Sequence, residues 1–162
     1  MKPRLSLKGR GLQILSQREH SRSELRRKLL AHAKAAALSA DPPAELPLPD
    51  AAEQVEAVLD WLQAQGHLSE ERFVESRVHA RASRFGNLRI RLELAQHGVA
   101  LTADAEQQLK DSETSRARKV WLRRFGQVAA DAAERARQAR FLAGRGFSGE
   151  VIRRVVQGLS DD

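Results

Sequence analysis

The chain is 162 residues long and basic: 28 lysines and arginines against 21 acidic residues give a net charge of +7, aromatic residues are 4% of the total, and cysteine is absent. The absence of cysteine excludes disulfides, thiolate zinc sites and thiol nucleophiles, and no run of about 18 apolar residues exists to cross a membrane. We therefore expect a cytoplasmic protein whose basic charge favours a polyanionic partner, either nucleic acid or an acidic protein surface.

The first part of the chain predicts three helices and a proline-rich linker. A loose basic tail (1–7) precedes a short helix at 11–16. Ser21, with a glutamate three positions later, has the spacing of a capping box and begins the second helix. A cluster of prolines makes residues 38–50 a linker, because proline cannot continue a helix. Asp50, again with a glutamate three positions later, begins the third helix as a second capping box.

The remainder of the chain predicts six further helices and no strand, so the fold class is all-α with about nine helices. Each predicted helix follows a capping residue or a glycine and carries apolar residues at helical spacing. Ser69, Asn87, Thr102 and Ser148 are the predicted capping residues. The predicted helices span residues 69–85, 88–96, 102–109, 115–125 and 132–143, and the last runs from 148 to near Gly158.

The capped helix start recurs along the chain. Arg145 and Ser148 repeat the spacing of Arg18 and Ser21, and a looser copy lies at Asn87. Self-similarity at a long period is typical of tandem helical units. We therefore expect three helical repeats, over residues 1–68 with the linker at 38–50, over 69–113 and over 114–162.

The sequence contains no catalytic or metal-binding motif. Its five histidines do not pair at three- or four-residue spacing, and it has no phosphate-binding glycine loop and no nucleophile elbow. We interpret Gly144-Arg145-Gly146 as a corner between helices rather than as part of a nucleotide site. The sequence therefore predicts a protein that is not an enzyme and that holds no cofactor and no metal.

Basic side chains recur beside the apolar stripes and are the strongest functional signal. Any single one is an ordinary solvated side chain, but the series continues on successive helices with few acidic residues between them. A stack of helical units can align such basic ridges along one concave face. The predicted partner-binding or DNA-binding residues are Arg26, Arg27, Arg77, Arg81, Arg84, Arg89, Arg91, Arg116, Lys119, Arg123, Arg153 and Arg154.

Three blocks of the sequence stand in order and at suitable distances. The blocks are residues 15–29 with Arg18-Glu19-His20-Ser21, then Gly66-His67-Leu68-Ser69-Glu70-Glu71-Arg72-Phe73-Val74 followed by Arg89-Ile90-Arg91-Leu92-Glu93-Leu94, and finally Phe141-Leu142-Ala143-Gly144-Arg145-Gly146-Phe147-Ser148. Together they resemble the RecX family of regulators of the RecA recombinase. Glu70, His67 and Asn87 depart from the family pattern, and residues 40–49 look like an insertion; all of these lie at turns, where they affect local geometry.

The resemblance implies tandem three-helix units in a curved, elongated molecule. It also implies binding in the groove of RecA–DNA filaments, which would inhibit ATP hydrolysis and strand exchange in recombination and the SOS response. We expect a monomer that contacts the RecA filament, together with single- or double-stranded DNA, and no membrane. Two alternatives stay open: a DNA-binding helical-repeat protein that acts without a recombinase, and a scaffold that self-associates through its alanine stripes.

Overall fold

The structure is a computed structural model that describes residues 4–39 and 48–159, with Leu48 and Pro49 described as backbone only. Over these residues the chain forms eight α-helices and no strand, which confirms the all-α prediction. The helices are α1 (Leu7–Leu15), α2 (Arg22–Leu38), α3 (Leu48–Ala64), α4 (Glu70–Ala82), α5 (Asn87–Gln96), α6 (Ala103–Arg124), α7 (Ala132–Gly144) and α8 (Gly149–Val156).

The chain divides into two compact units, and the first is Met1–Phe73. Within it α1, α2 and α3 pack against one another. Leu25, Leu29, Leu59 and Leu62 are completely buried at their common core. Burying one such side chain contributes about 1.5–3 kcal/mol, so the apolar spacing on α2 and α3 supplies much of the stability of this unit.

The second unit is Val74–Asp162. In it α6, α7 and α8 pack together, and α5 packs on α6. The predicted apolar stripe of α8, at positions 151, 152, 155 and 156, is buried against Ala117, Trp121 and Leu142. The division of the whole chain into three repeats stays a prediction.

Eight helices rather than about nine are present in the described residues, because two predicted elements form one. The segments 102–109 and 115–125 belong to the single helix α6. Residues 110–114 between them contain no glycine or proline, so nothing interrupts the backbone hydrogen bonds. Burial of Glu113 and Ala117 also ties this stretch to the rest of the unit.

The predicted helix starts are partly confirmed. The backbone N–H of Glu24 donates to Ser21 Oγ at 3.2 Å, as the capping box requires, and Thr102 caps α6 in the same way. Helix α3 instead begins at Leu48, so Asp50 lies in its first turn and does not cap it. Asn87 is the first residue of α5, and Gly86 takes the capping position.

Two other predicted boundaries change. Helix α1 begins at Leu7 after the cap Ser6, earlier than the predicted 11–16. The predicted linker at 38–50 is shorter at both ends, because α2 includes Leu38 and α3 begins at Leu48. Proline is tolerated in the first turn of a helix, where the N–H it lacks would be unpaired. Residues 40–47 of the linker lie outside the described residues.

Two glycines bring the connection before α5 against the connection before α8. Gly86 N–H donates to the Arg145 carbonyl at 2.8 Å, and Leu88 N–H donates to the Gly146 carbonyl at 3.1 Å. A Cβ atom on Gly86 would lie 2.3 Å from the backbone of Gly146. The two backbones can therefore approach this closely only because position 86 has no side chain.

A buried polar cluster lies at the start of α2. The Nδ1 atom of the buried His20 hydrogen bonds to the Arg18 carbonyl at 2.9 Å, and its Nε2 atom lies 3.1 Å from Lys28 Nζ. Burial lowers the pKa of His20. Burial also acts to raise the pKa of Glu24, but the hydrogen bonds and charge of Arg18 outweigh this effect and hold that pKa below its ordinary value.

We expect Gly86→Ala to destabilise the protein by about 1–3 kcal/mol, the usual cost of overpacking, because its Cβ would collide with the Gly146 backbone. Gly149→Ala is the matched control, since a Cβ there meets nothing within 4 Å. Thermal unfolding followed by circular dichroism compares the two variants. Equal melting temperatures would contradict the close approach.

We expect the protein to lose stability as the pH falls from about 8 to 5. The pKa of His20 in the folded protein lies below its ordinary value of 6.5. As the pH falls through 6.5, the unfolded chain therefore binds a proton on His20 before the folded protein does, and unfolding becomes more favourable. The lowered pKa of Glu24 acts in the same direction at more acidic pH, where the unfolded carboxylate is protonated first.

His20→Gln should reduce the slope of melting temperature against pH. The exposed His67→Gln is the control, and an unchanged slope in His20→Gln would refute the assignment.

Candidate anion-binding site and basic ridges

The predicted basic ridge on α4 and α5 is largely paired with acidic residues of the same unit. Arg81 Nε donates to Glu93 Oε2 at 2.9 Å, and Arg89 lies 3.7 Å from the other oxygen of that carboxylate. Arg91 pairs with Glu106 at 2.5 Å. Such partly exposed ion pairs contribute only about 0–1 kcal/mol, so a partner can exchange them, but they reduce the net charge of the ridge.

Arg116 is half-buried, and its guanidinium is bonded within the second unit. Its guanidinium has five N–H donors, and all of them donate hydrogen bonds within the unit. Burial lowers the pKa of Arg116, and the charge of Glu113 opposes this. Because no donor remains, we leave Arg116 out of the proposed binding surface. The acceptors are Ser112 Oγ (3.1 Å), the carbonyls of Ala82 (3.0 Å), Phe85 (2.8 Å) and Leu109 (3.1 Å), and Asn87 Oδ1.

The remaining predicted basic residues fall into two groups. Arg26 pairs with Glu56, Arg77 Nη2 lies 3.5 Å from His97 Nε2, and Arg154 is half-buried. The other five are exposed and make no ion pair with any residue that the structure describes: Arg27 in the first unit, and Arg84, Lys119, Arg123 and Arg153 in the second.

Four guanidinium groups line one cleft of about 420 Å³ in the second unit, which we call the arginine cleft. Arg84 comes from the connection before α5, Arg123 and Arg124 from the end of α6, and Arg145 from the connection before α8. No carboxylate is among the lining residues, and none of the four arginines forms an ion pair within the described part of the chain. The cleft therefore concentrates positive charge.

Two phenylalanine rings hold these arginines in place. Arg84 and Arg145 lie 5.7 and 5.5 Å from the centre of the Phe85 ring. Arg145 and Arg124 lie 5.2 and 5.9 Å from the centre of the Phe141 ring. Each cation–π contact of this kind contributes about 0.5–1 kcal/mol at an exposed site. The rings thus restrict the side chains without neutralising them.

The sequence placed Arg124 in a basic ridge but not among the predicted binding residues, and it assigned no binding role to Arg145. The interpretation of residues 144–146 as a corner is confirmed, because α7 ends at Gly144 and Gly146 has a positive φ of 85°. That corner also places Arg145 in the arginine cleft. In the sequence, the only indication of a special role for Arg145 was its position between two glycines. Its partners in the cleft could not be predicted, because they come from α6 and from the connection before α5.

An apolar groove of about 1040 Å³ lies between α4 and α6. Val74, Val78 and Leu109 form part of its lining, together with Leu122, which is 49% exposed. Lys119 also lines it. An apolar surface bordered by a cation of this kind suits a protein partner.

The structure shows neither a metal site nor a membrane span in the regions it describes. Among residues 4–39 and 48–159, no group of three or more histidine, aspartate or glutamate side chains could hold a metal ion. Over those same residues no helix is long and apolar enough to cross a membrane.

Comparison with known proteins identifies relatives along nearly the whole chain. A model of the second three-helix domain of RecX matches residues 69–102, and a model of the third matches residues 111–156. A regulatory protein RecX from Leptothrix cholodnii is 52% identical over 158 residues, which cover 96% of this chain and 90% of the relative. The chain belongs to the RecX family. A second regulatory protein RecX, from Ralstonia nicotianae, is 48% identical over 163 residues and covers 98% and 92% of the two chains.

The fold is shared with a solved RecX structure. The crystal structure of RecX from Lactobacillus salivarius matches with a TM-score of 0.65 and covers 94% of each chain. Sequence identity in that match is 18%, so this likeness concerns the fold alone. It agrees with the all-helical architecture described above.

We expect Arg116→Gln to destabilise the protein by about 2 kcal/mol or more, because hydrogen bonds to a charged group contribute about 1.5–3 kcal/mol and the carbonyls of Ala82 and Phe85 would lose their donor. Lys119→Gln, an exposed position on the same helix, is the control. Urea unfolding of both variants measures the difference. A stability of Arg116→Gln equal to that of the control would rule out the structural role.

Proposed function

We propose that the chain is a non-enzymatic regulator that binds RecA–DNA filaments in their groove. It acts there as a monomer in the cytoplasm and inhibits the ATPase and strand exchange of the recombinase in recombination and the SOS response. Membership of a family whose relatives are named regulatory protein RecX supports this proposal. The observation that carries it is the set of exposed, unpaired cations at Arg27, Arg84, Lys119, Arg123 and Arg153 within the described residues.

The surface suits a filament because it offers both charge and apolar area. A protein filament on DNA presents acidic side chains and phosphates along its groove, and basic residues attract both. Next to Lys119, the groove between α4 and α6 exposes Leu122 and Val78. Apolar contacts surrounded by charged residues give a protein interface its affinity and its orientation. Regulation by binding needs no catalytic group.

The test is a triple charge reversal, Arg27→Glu, Lys119→Glu and Arg153→Glu. All three side chains are exposed and lie outside the arginine cleft. We expect the concentration needed to inhibit DNA-dependent ATP hydrolysis by RecA to rise about tenfold, since each exposed charge contributes about 0.2–1 kcal/mol. The assay is steady-state ATPase on single-stranded DNA.

A matched variant controls for the change in net charge. Lys34→Glu, Arg135→Glu and Arg140→Glu reverse three other exposed basic residues that make no ion pair within the described part of the chain. This variant should inhibit like the unmodified protein. If the first triple variant is folded and inhibits equally well, the predicted ridges are not the contact surface.

A second candidate is a DNA-binding helical protein that acts without a recombinase. The arginine cleft favours it, because unpaired guanidinium groups bind phosphates whether or not a second protein is present. This candidate predicts DNA affinity whose logarithm falls with the logarithm of salt concentration by about 0.9 for each phosphate neutralised on duplex DNA. It also predicts that RecA on the DNA does not raise the affinity above that for the same DNA alone, whereas the leading proposal predicts tighter binding to the RecA–DNA filament than to the bare DNA.

A further inference from the structure

We propose that the arginine cleft is an oxyanion site that takes two or more linked phosphate groups of one ligand. The inference deepens the proposed function and rests on it for the biological setting, although the argument uses only the contacts of the second unit. Linked phosphates come from a nucleic-acid backbone or from a free polyphosphate such as a nucleoside triphosphate. The experiment below separates these two sources.

The first support is the contrast between these arginines and the paired arginines of α4 and α5. Arg81 and Arg91 each meet a glutamate within 3 Å, at Glu93 and Glu106. In the arginine cleft four arginines line one space and no acidic residue lines it. Like charges that share a cleft repel one another, and a bound anion replaces this repulsion with attraction.

The second support is a comparison of the two equivalent helix starts. Arg145 precedes Ser148 by the same spacing as Arg18 precedes Ser21. In the first unit the guanidinium of Arg18 pairs with the buried Glu24, six positions further on. Six positions beyond Arg145 the chain has Val151, which is buried in the apolar core. The residue that neutralises the first arginine is therefore missing from the second, and Arg145 is left for a ligand.

The third support is that the cleft is organised before a ligand arrives. The ring contacts of Phe85 and Phe141 hold Arg84, Arg124 and Arg145. Arg123 Nη2 donates to the Ser83 carbonyl at 2.9 Å and its Nε to the Lys119 carbonyl at 3.4 Å, which holds the side chain and leaves only the remaining Nη N–H groups for the cleft. Side chains already held in place lose less conformational freedom on binding.

Charge and geometry favour linked phosphates over an acidic peptide. The arginine fork pairs with two oxygens of one anion, and four forks share a space of about 420 Å³. Neighbouring phosphates supply several charged oxygens on a short covalent framework. Carboxylates of a peptide are separate side chains, each of which loses rotamer freedom on binding. A ligand with linked phosphates therefore neutralises the cleft at a lower entropic cost.

The test uses the double variant Arg84→Gln and Arg124→Gln. Both side chains are exposed, contact aromatic rings and make no hydrogen bond or ion pair with the residues that the structure describes, so the fold should survive. Calorimetric titration with inorganic tripolyphosphate, and fluorescence anisotropy with a short single-stranded oligodeoxythymidylate, should each show affinity reduced about tenfold or more. For the oligonucleotide, loss of two phosphate contacts should make the salt slope shallower by about 1.4.

The control is the double variant Arg135→Gln and Arg140→Gln. It removes the same charge from exposed positions of α7 that do not line the arginine cleft. It should bind both probes like the unmodified protein. Equal losses in the two double variants, or no binding of either probe by the unmodified protein, would overturn the inference. So would a poly-glutamate peptide that competes as strongly as tripolyphosphate.

The pattern of binding identifies the source of the phosphates. Binding of the oligonucleotide alone, lost in the Arg84→Gln and Arg124→Gln variant, supports the site with a nucleic-acid backbone as its ligand. If the unmodified protein also binds tripolyphosphate and the double variant loses that binding too, the site accepts free polyphosphates as well. Failure of the proposed function is separate, because it appears as unchanged inhibition of RecA by the triple variant Arg27→Glu, Lys119→Glu and Arg153→Glu, whatever happens at the cleft.

Discussion

The carboxylate of Glu113 joins the starts of two helices in the second unit. Its Oε1 atom accepts from the backbone N–H of Asn87 at 3.1 Å and from that of Ser148 at 3.3 Å. A helix start carries partial positive charge, so a buried carboxylate is favoured there. One turn further along α6, Arg116 binds the carbonyl of Ala82 at the end of α4 and that of Phe85 in the connection before α5. Two turns of one helix thus fix the connections before α5 and before α8.

The candidate site depends on this arrangement. The connection before α5 carries Arg84, and the connection before α8 carries Arg145. Gly86 and Gly146 then bring the two backbones together through hydrogen bonds of 2.8 and 3.1 Å. The arginine cleft exists because residues far apart in the sequence are held together by the buried carboxylate of Glu113 and the half-buried guanidinium of Arg116. The arginines of the cleft form no ion pair with the residues that the structure describes, so their charges are available to a ligand.

Buried charge and exposed charge have different roles in this protein. Glu24 and Glu113 are buried, and each carboxylate accepts from two N–H donors, as a buried charge requires. Arg116 is satisfied in the same way by oxygen acceptors. Arg27 and Lys119 are exposed and keep their donors free within the described residues. The net charge of +7 does not distinguish these cases, because an arginine counts equally whether it supports the fold or faces solvent.

The sequence by itself determined the helices, most of their caps and the family, because capping and apolar spacing act within a few residues. The sequence prediction divided α6 into two helices, because residues 110–114 carry no apolar residues at helical spacing. It also began α3 at Asp50 instead of Leu48. Only the tertiary structure decided which basic residues are free. Arg116 and Lys119 lie one turn apart on α6, yet one is enclosed by carbonyls and the other is exposed. Arg116 and Lys119 differ in exposure because of contacts with distant segments of the chain, and such contacts also bring Arg84 and Arg145 to the same cleft. The residue spacing within one helix does not predict contacts of this kind.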